Sequence, residues 1–362
     1  MLNNKPRKVL LTGAFGLVGE ETIRALLHQG HSLTCLDLDT PENRTHMQDL
    51  LQTGTFETLW VDICDAEAVK NAFNQCKPQA VLHLAAMVPP DCYVDPKHAY
   101  QVNVEGSKNL LDAARQCESL ERFIFISSYS VHGPRNPNKE INAIRADTPI
   151  NPGDNYARHK VIVETLVRES GLPWSIIRLP AVFGLRPQQV GQALMKYLFI
   201  LPPERRQHAM DARDAGLALA NSVHADILFR TLLLGGDAPD WMRTAGEFFG
   251  AIFQARGLKA IPDRYFRNPD PLVDEAWYYE DWVNTAESQL LLDYQKHSFN
   301  DYLNELKKQE KIGPGWLMNL MSPLVLKQLT KQSPYDRDQD SLDTLSHWQI
   351  VCKVFGIPID SP

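Results

Sequence analysis

Residues 8–19 read Lys8-Val9-Leu10-Leu11-Thr12-Gly13-Ala14-Phe15-Gly16-Leu17-Val18-Gly19, a compact apolar run ending in a glycine-rich turn. Val18, Ile23, Leu26 and Leu27 then recur at helical spacing across Leu17–His28, and Gly30 stops the pattern. Gly13 permits a tight turn, Gly16 lets backbone approach a pyrophosphate, and Gly19 lets the helix pack close on the strand. The free N–H groups and the positive end of that helix would hold the anion. The setting distinguishes this turn from a plain strand-to-helix connection: strand before, helix after, and Asp37 at the end of the next strand. A carboxylate there accepts hydrogen bonds from ribose hydroxyls and repels a 2′-phosphate, which favours NAD over NADP. Asp39 is placed to share that task, and Arg44 is the nearby cation that could meet a phosphate.

The pattern repeats along the first half. Strands are expected at Ser32–Asp37, Thr55–Val61, Gln79–Leu84, Arg122–Ser127 and Trp174–Leu179, with helices at 41–52, 65–75, 96–117 and 155–170. This alternation predicts the α/β class: a Rossmann-type doubly wound parallel sheet covered by helices on both faces. After Gly184 the rhythm is lost, and long helices are expected at 211–234, 244–256, 285–293 and 298–310. The expected division is a cofactor domain over 1–185, a smaller, mainly helical substrate-binding region over 186–332, and a tail over 333–362. Within it, 211–235 is expected to pack back on the first domain, 316–329 to cap the body, and His347–Phe355 to fold back.

Composition bounds the rest. The chain has 362 residues, 44% of them hydrophobic and 22% charged, enough for a sizeable core in one large domain or two. A net charge of −7 without a long basic run argues against nucleic acid. No window of about 18 apolar residues exists, so no membrane span is expected. The short polar start before Lys8 does not read as a signal peptide. Six scattered cysteines without a Cys-x-x-Cys pair read as reduced thiols of a cytoplasmic protein, and no metal site is expected.

Tyr156-Ala157-Arg158-His159-Lys160 opens a helical segment, so Tyr156 and Lys160 share one face, a turn apart. A nearby ammonium and an oxidised nicotinamide are expected to lower the phenol pKa and let it act as a general acid/base. Tyr93 and Lys97 repeat the spacing, but Pro96 lies between them, so they cannot present that face. Ser127-Ser128 ends the fifth strand, where a parallel sheet places functional groups, and Ser127, Ser128 and Ser130 are all candidates on chemistry alone.

Together these segments resemble the extended short-chain dehydrogenase/reductase superfamily, in its NAD-dependent epimerase/dehydratase group. TGAFGLVG (12–19), VDICD (61–65), HLAA (83–86), SSYSVHG (127–133) and YARHK (156–160) carry the resemblance, extended by RLPAVFG (178–184) and Asp211–Asp214. It covers roughly residues 7–235 in the family's order. The resemblance implies Ser128, Tyr156 and Lys160 as catalytic residues. It implies a cofactor contact surface of Gly13, Phe15, Gly16, Leu17, Val18, Gly19, Asp37, Asp62, Ile63, Leu84, Ala85, Ala86, Asn103, Ser127, Tyr156, Lys160 and Pro180. Of these, Asp62 and Ile63 fall near the adenine, Asn103 near the active site, and Pro180 beside the nicotinamide. A homodimer through the 96–117 and 155–170 helices is expected by the same analogy.

The departures bear on the substrate. Where family dehydratases carry an Asp-Glu pair, this chain has Tyr129 and Ser130, which disfavours water elimination. Ala181 stands where many nucleotide-sugar epimerases carry asparagine, and the stretch from Gly184 to Asp211 is short. His132 reads as a packing variant. The expected activity is NAD-dependent oxidation or reduction of a small-molecule secondary alcohol or carbonyl, with Tyr156 as acid/base. The alternatives are a nucleotide-sugar epimerase with tightly bound NAD and a non-catalytic NAD-binding regulatory protein.

Overall fold

The computed structural model describes residues 5–139, 142–186, 191–311, 327–335 and 345–362. Its first elements alternate without exception: β1 (Lys8–Thr12), α1 (Leu17–His28), β2 (Ser32–Asp37), α2 (Pro41–Leu51), β3 (Glu57–Trp60), α3 (Ala66–Cys76) and β4 (Ala80–His83). Two short helices, α4 (Asp91–Val94) and α5 (Pro96–Tyr100), lead through a wide π turn to α6 (Ser107–Arg115) and β5 (Arg122–Ser128). Then come α7 (Asn155–Glu169), β6 (Trp174–Leu179) and β7 (Val182–Phe183). The second half holds α8 (Gln192–Phe199), β8 (Arg206–His208), β9 (Met210–Asp211), α9 (Ala212–Ser222), β10 (Thr231–Leu233), β11 (Met242–Thr244), α10 (Ala245–Ala255), α11 (Ala286–Leu292), α12 (Phe299–Lys311) and α13 (His347–Phe355).

Local chemistry starts several of these helices. Thr40 caps α2 by accepting from the Asn43 N–H, Asp65 caps α3, and Asp154 caps α7 by accepting from Ala157 N–H. Thr244 with Glu247, and Ser346 with Gln349, form reciprocal capping boxes at α10 and α13.

The main sheet runs β10-β6-β5-β4-β1-β2-β3, every pair parallel. Its inner strands are buried on both faces, and alternation divides their side chains between two cores. Val9, Leu11, Ile124 and Ile126 pack with Ile23, Ala215 and Leu219 on the α1/α9 side. Leu10, Phe123 and Phe125 pack with Phe73, Leu110, Val163 and Val167 on the α3/α6/α7 side. The order reverses between β1 and β4, and that switch point opens the crevice at the carboxyl ends of the strands.

Two expected helices are corrected. The 96–117 helix is interrupted by the π turn at Gln101–Gly106, which presents Asn103 to the Met87 backbone. The 211–234 helix ends at Ser222, and Thr231–Leu233 instead pairs with Ile176–Arg178 as the edge strand of the sheet. A three-leucine run before Gly235-Gly236 is as compatible with a short buried strand as with a helix; the open edge of β6 decides it. The expected cap over 316–329 lies largely outside the described residues, as does 336–344 of the tail. The tail's His347–Phe355 segment does fold back, packing Trp348, Ile350 and Val351 with Tyr93, Tyr197 and Tyr278. No helix among the described residues is long and apolar enough to cross a membrane.

Candidate active site

One cavity of about 790 Å³ runs along the carboxyl edge of the sheet. The glycine turn forms one wall. Gly13 has φ +65°, and a Cβ there would come within 2.8 Å of Ala85 N; a Cβ on Gly19 would meet Gly13 O at 2.3 Å. Only glycine fits either place. Gly16 caps α1 without a side-chain hydrogen bond, so the helix's first N–H groups are left to an anion. Asp37 Oδ2 accepts from Phe15 N–H at 2.8 Å and Oδ1 from Leu38 N–H at 2.8 Å, tying the turn to the end of β2. Burial pushes the Asp37 carboxyl upward while these N–H groups pull it back. Arg44 is held by Asp39 at 2.5 Å rather than facing the cavity as a free cation. Gly16, Leu17, Val18, Asp62, Ile63, Leu84, Ala85, Ala86 and Pro180 also line the cavity. These features fit a dinucleotide.

Two expected contacts are not on that wall. The Phe15 ring turns into the core, 5.4 Å from Trp60, because its backbone rather than its side chain faces Asp37. Asn103 spends its carboxamide on Met87, accepting from its N–H at 2.7 Å and donating to its carbonyl at 2.9 Å. It positions the loop after β4.

Tyr156, Lys160 and Ser128 line the same cavity. Lys160 Nζ donates to Ile126 O at 2.8 Å and lies 5.7 Å from the centre of the Tyr156 ring. Burial lowers its pKa to about 8, opposed by the Glu164 carboxylate. The expected acidification of Tyr156 is not supplied by these protein groups. Burial pushes the phenol up, Cys92 and Asp154 add to it, and only the hydrogen bond with Ser128 pulls it down. The three serines separate by partner. Ser127 donates to Glu164 at 2.7 Å, whereas Ser128 Oγ accepts from Ser130 N–H at 3.2 Å and from Ser130 Oγ at 3.1 Å and lines the cavity with Tyr156. Tyr129 donates to Leu234 O, so neither position of the missing acidic pair offers a carboxylate.

Two buried networks support this geometry, and neither was apparent in the motifs. Glu164 receives Arg178 bidentately, at 2.8 and 2.7 Å, and Arg178 Nη1 donates to His132 Nε2 at 3.1 Å. His132 therefore donates from Nδ1 to Pro149 O, at 3.3 Å, and stays neutral; burial first, then Arg178, lowers its pKa to about 4. Under the glycine turn, His83 bridges Thr12 at 2.8 Å and Ser107 at 2.9 Å. Tyr93, of the second Tyr–Lys match, donates instead to Asp154.

The far part of the cavity was not resolved into residues from sequence. Its lining includes Tyr197, Leu198, Leu201, Arg205, Gln207, Phe249, Tyr278, Tyr279 and Glu280. Arg205 is 2% exposed, ion-paired with Glu280, with its guanidinium 5.0 Å from the centre of the Tyr278 ring. A second cavity of about 360 Å³ between α8 and α10 shares Leu198, Leu201 and Phe249 with the first.

Comparison with known proteins agrees with this arrangement. D-erythronate dehydrogenase of Cupriavidus necator is 28% identical over 204 residues, 52% of this chain and 59% of that protein. UDP-glucose 4-epimerase of Mycolicibacterium smegmatis is 30% identical over 199 residues, 53% of this chain and 61% of that protein. The chain thus spans about six-tenths of the length of these relatives. The solved structure of Thermus thermophilus UDP-glucose 4-epimerase with NAD superposes with a TM-score of 0.66 at 22% identity, covering 84% of this chain and 99% of that one. A family model described as "NAD dependent epimerase/dehydratase family" matches residues 9–199, more than half of the chain. With the glycine turn, the acid at the end of β2 and the Tyr156/Lys160 face already in place, the chain belongs to the NAD dependent epimerase/dehydratase family.

Proposed function

We propose that this protein is an NAD-dependent enzyme that moves a hydride between a secondary carbinol of its substrate and the cofactor. Within that chemistry we propose a nucleotide-linked sugar as substrate, with the hydride returned to the same molecule, so that the net reaction is epimerisation. The observation that carries the hydride-transfer reading is that Ser128, Tyr156 and Lys160 line the same cavity as the glycine turn. The similarity to UDP-glucose 4-epimerases supports the sugar reading and moves it ahead of a net dehydrogenase.

When bound, NAD supplies the hydride acceptor and a positively charged ring. Tyr156 exchanges the hydroxyl proton at its phenol oxygen, and Ser128, on the same cavity lining, orients the reacting oxygen. Lys160, fixed by the Ile126 carbonyl, is the group assigned to the nicotinamide ribose. The glycine turn and Asp37 hold the pyrophosphate and the adenosine ribose.

A second reading is a net dehydrogenase. Ala181 in the lining and the pairing of Arg205 with Glu280 favour it, because both reduce what the wall offers a sugar diphosphate. One experiment separates the two. The NAD-loaded protein is given UDP-glucose, with C4 configuration followed by NMR, and D-erythronate, with NADH followed at ~340 nm. Inversion without lasting NADH is expected. In either assay Tyr156→Phe should lower turnover by about 10²–10⁴-fold while NAD binding persists. Undiminished turnover in that variant would falsify the catalytic assignment.

A further inference from the structure

Gln207 sits in β8, opposite Arg243 of β11. Its neighbours along the strand turn to the other face. Arg206 pairs with Asp281 at 2.8 Å, and His208 joins Gly236 O at 2.9 Å. Alternation therefore sends Gln207 to the cavity, where it forms part of the wall with Tyr278, Tyr279 and Glu280. Its side chain is 1% exposed, yet neither Oε1 nor Nε2 has a hydrogen-bond partner among the described residues. Tyr279 is also 1% exposed, and its hydroxyl is unpartnered among the same residues.

A buried polar group left unpaired is costly, and native proteins keep few of them. Four such atoms line the active-site cavity here, Gln207 Oε1 and Nε2, the Tyr279 hydroxyl and Arg205 Nε, and they identify a place that a ligand completes. The charge of the wall narrows the ligand. Arg205 is the nearby cation; its Nη1 pairs with Glu280, which offsets its charge, while its Nε is left as one more donor that a hydroxyl oxygen can meet. A phosphate or carboxylate has only acceptors to offer, and would set lone pairs against Gln207 Oε1. Two adjacent hydroxyls fit better: one donates to Oε1 while the other accepts from Nε2.

We propose that Gln207, with Tyr279, forms a specificity subsite that reads uncharged vicinal hydroxyls of the substrate, such as those of a pyranose ring. The inference rests on the hydride-transfer reading of the same cavity and extends it to the group that discriminates the substrate.

The test is a calorimetric titration of the NAD-loaded protein with UDP-glucose and with UDP, in wild type, Gln207→Met and Tyr279→Phe. Wild type is expected to bind UDP-glucose at least tenfold tighter than UDP. Each variant should shrink that ratio severalfold or more through weaker UDP-glucose binding, with UDP affinity unchanged. Gln207→Met, nearly isosteric and apolar, should unfold at the same temperature as wild type or higher without ligand, since no structural hydrogen bond is lost. A wild type without the tenfold preference, variants that keep it, or a fall of several degrees in the ligand-free Gln207→Met melt would each overturn the subsite. Turnover is scored separately. A wild type with the binding preference that neither inverts UDP-glucose nor reduces NAD would sink the proposed activity and leave the subsite supported.

Discussion

Asp37 does two things at the end of β2. Its carboxylate accepts the Phe15 and Leu38 N–H groups, fixing the glycine turn, and in the proposed binding mode its negative charge would face a 2′-phosphate. A cation close enough in sequence to offset that charge is committed elsewhere: Arg44 is bound to Asp39 and stacked 5.5 Å from the centre of the Trp60 ring. NAD should therefore raise the melting temperature more than NADP at equal concentration, and Asp37→Ala should narrow the difference while lowering the ligand-free melt. Scanning calorimetry measures both quantities, and a larger shift with NADP would contradict the assignment.

Along α7 the useful residues fall at every fourth position: Tyr156, Lys160 and Glu164. The first two face the cavity, and the third anchors the helix to β5 through Ser127 and to β6 through Arg178. Burial pushes the Glu164 carboxyl up, but the hydrogen bonds and charge of Arg178 outweigh it and hold the group below its usual range. Glu164→Leu would leave Arg178 buried without its counter-charge, at a cost of about 3–5 kcal/mol. Urea unfolding should show it as a lower midpoint, and the double variant with Arg178→Met should recover part of the loss. A single-variant loss under about 1 kcal/mol would mean that the pair does not anchor the helix. The same helix shows what was legible beforehand. The Tyr156–Lys160 spacing and the glycine turn are local patterns, readable in a single segment. Glu164 continues the spacing, but its meaning depends on an arginine on another strand. Gln207 and Tyr279 are further from reach, because only the folding of β8 against β11 and the 278–280 segment onto one wall brings them together. Where a short apolar run such as Leu232–Leu234 could go either way, the partner strand rather than the run decided its form.

Across the whole molecule, several histidines are buried as neutral groups. His83, His132 and His159 have pKa values lowered, by burial first, to about 3, 4 and 4. The unfolded chain takes up their protons near the ordinary value of 6.5, so between 6.5 and about 4 it binds more protons than the native state. Their contribution to stability is full above pH 6.5 and is lost as pH falls through that window. The melting temperature should drop by several degrees from pH 7 to pH 5; an unchanged melt would contradict the neutral assignment. The sheet itself also spans the chain. α9 packs against α1, Arg122 reaches the carbonyl of Ser222 at 2.7 Å, and β10 pairs with β6. The parallel sheet is therefore not finished by residues 1–185, although the motifs for cofactor and catalysis all lie there. During synthesis the ribosome releases β6 well before β10, with residues 180–230 still to come. Through that interval the nascent sheet carries a bare backbone edge and an uncovered apolar face, the kind of surface that chaperones engage and that misassembles when crowded. The delay before Thr231–Leu233 emerges is therefore an interval in which the growing chain exposes a surface prone to aggregation.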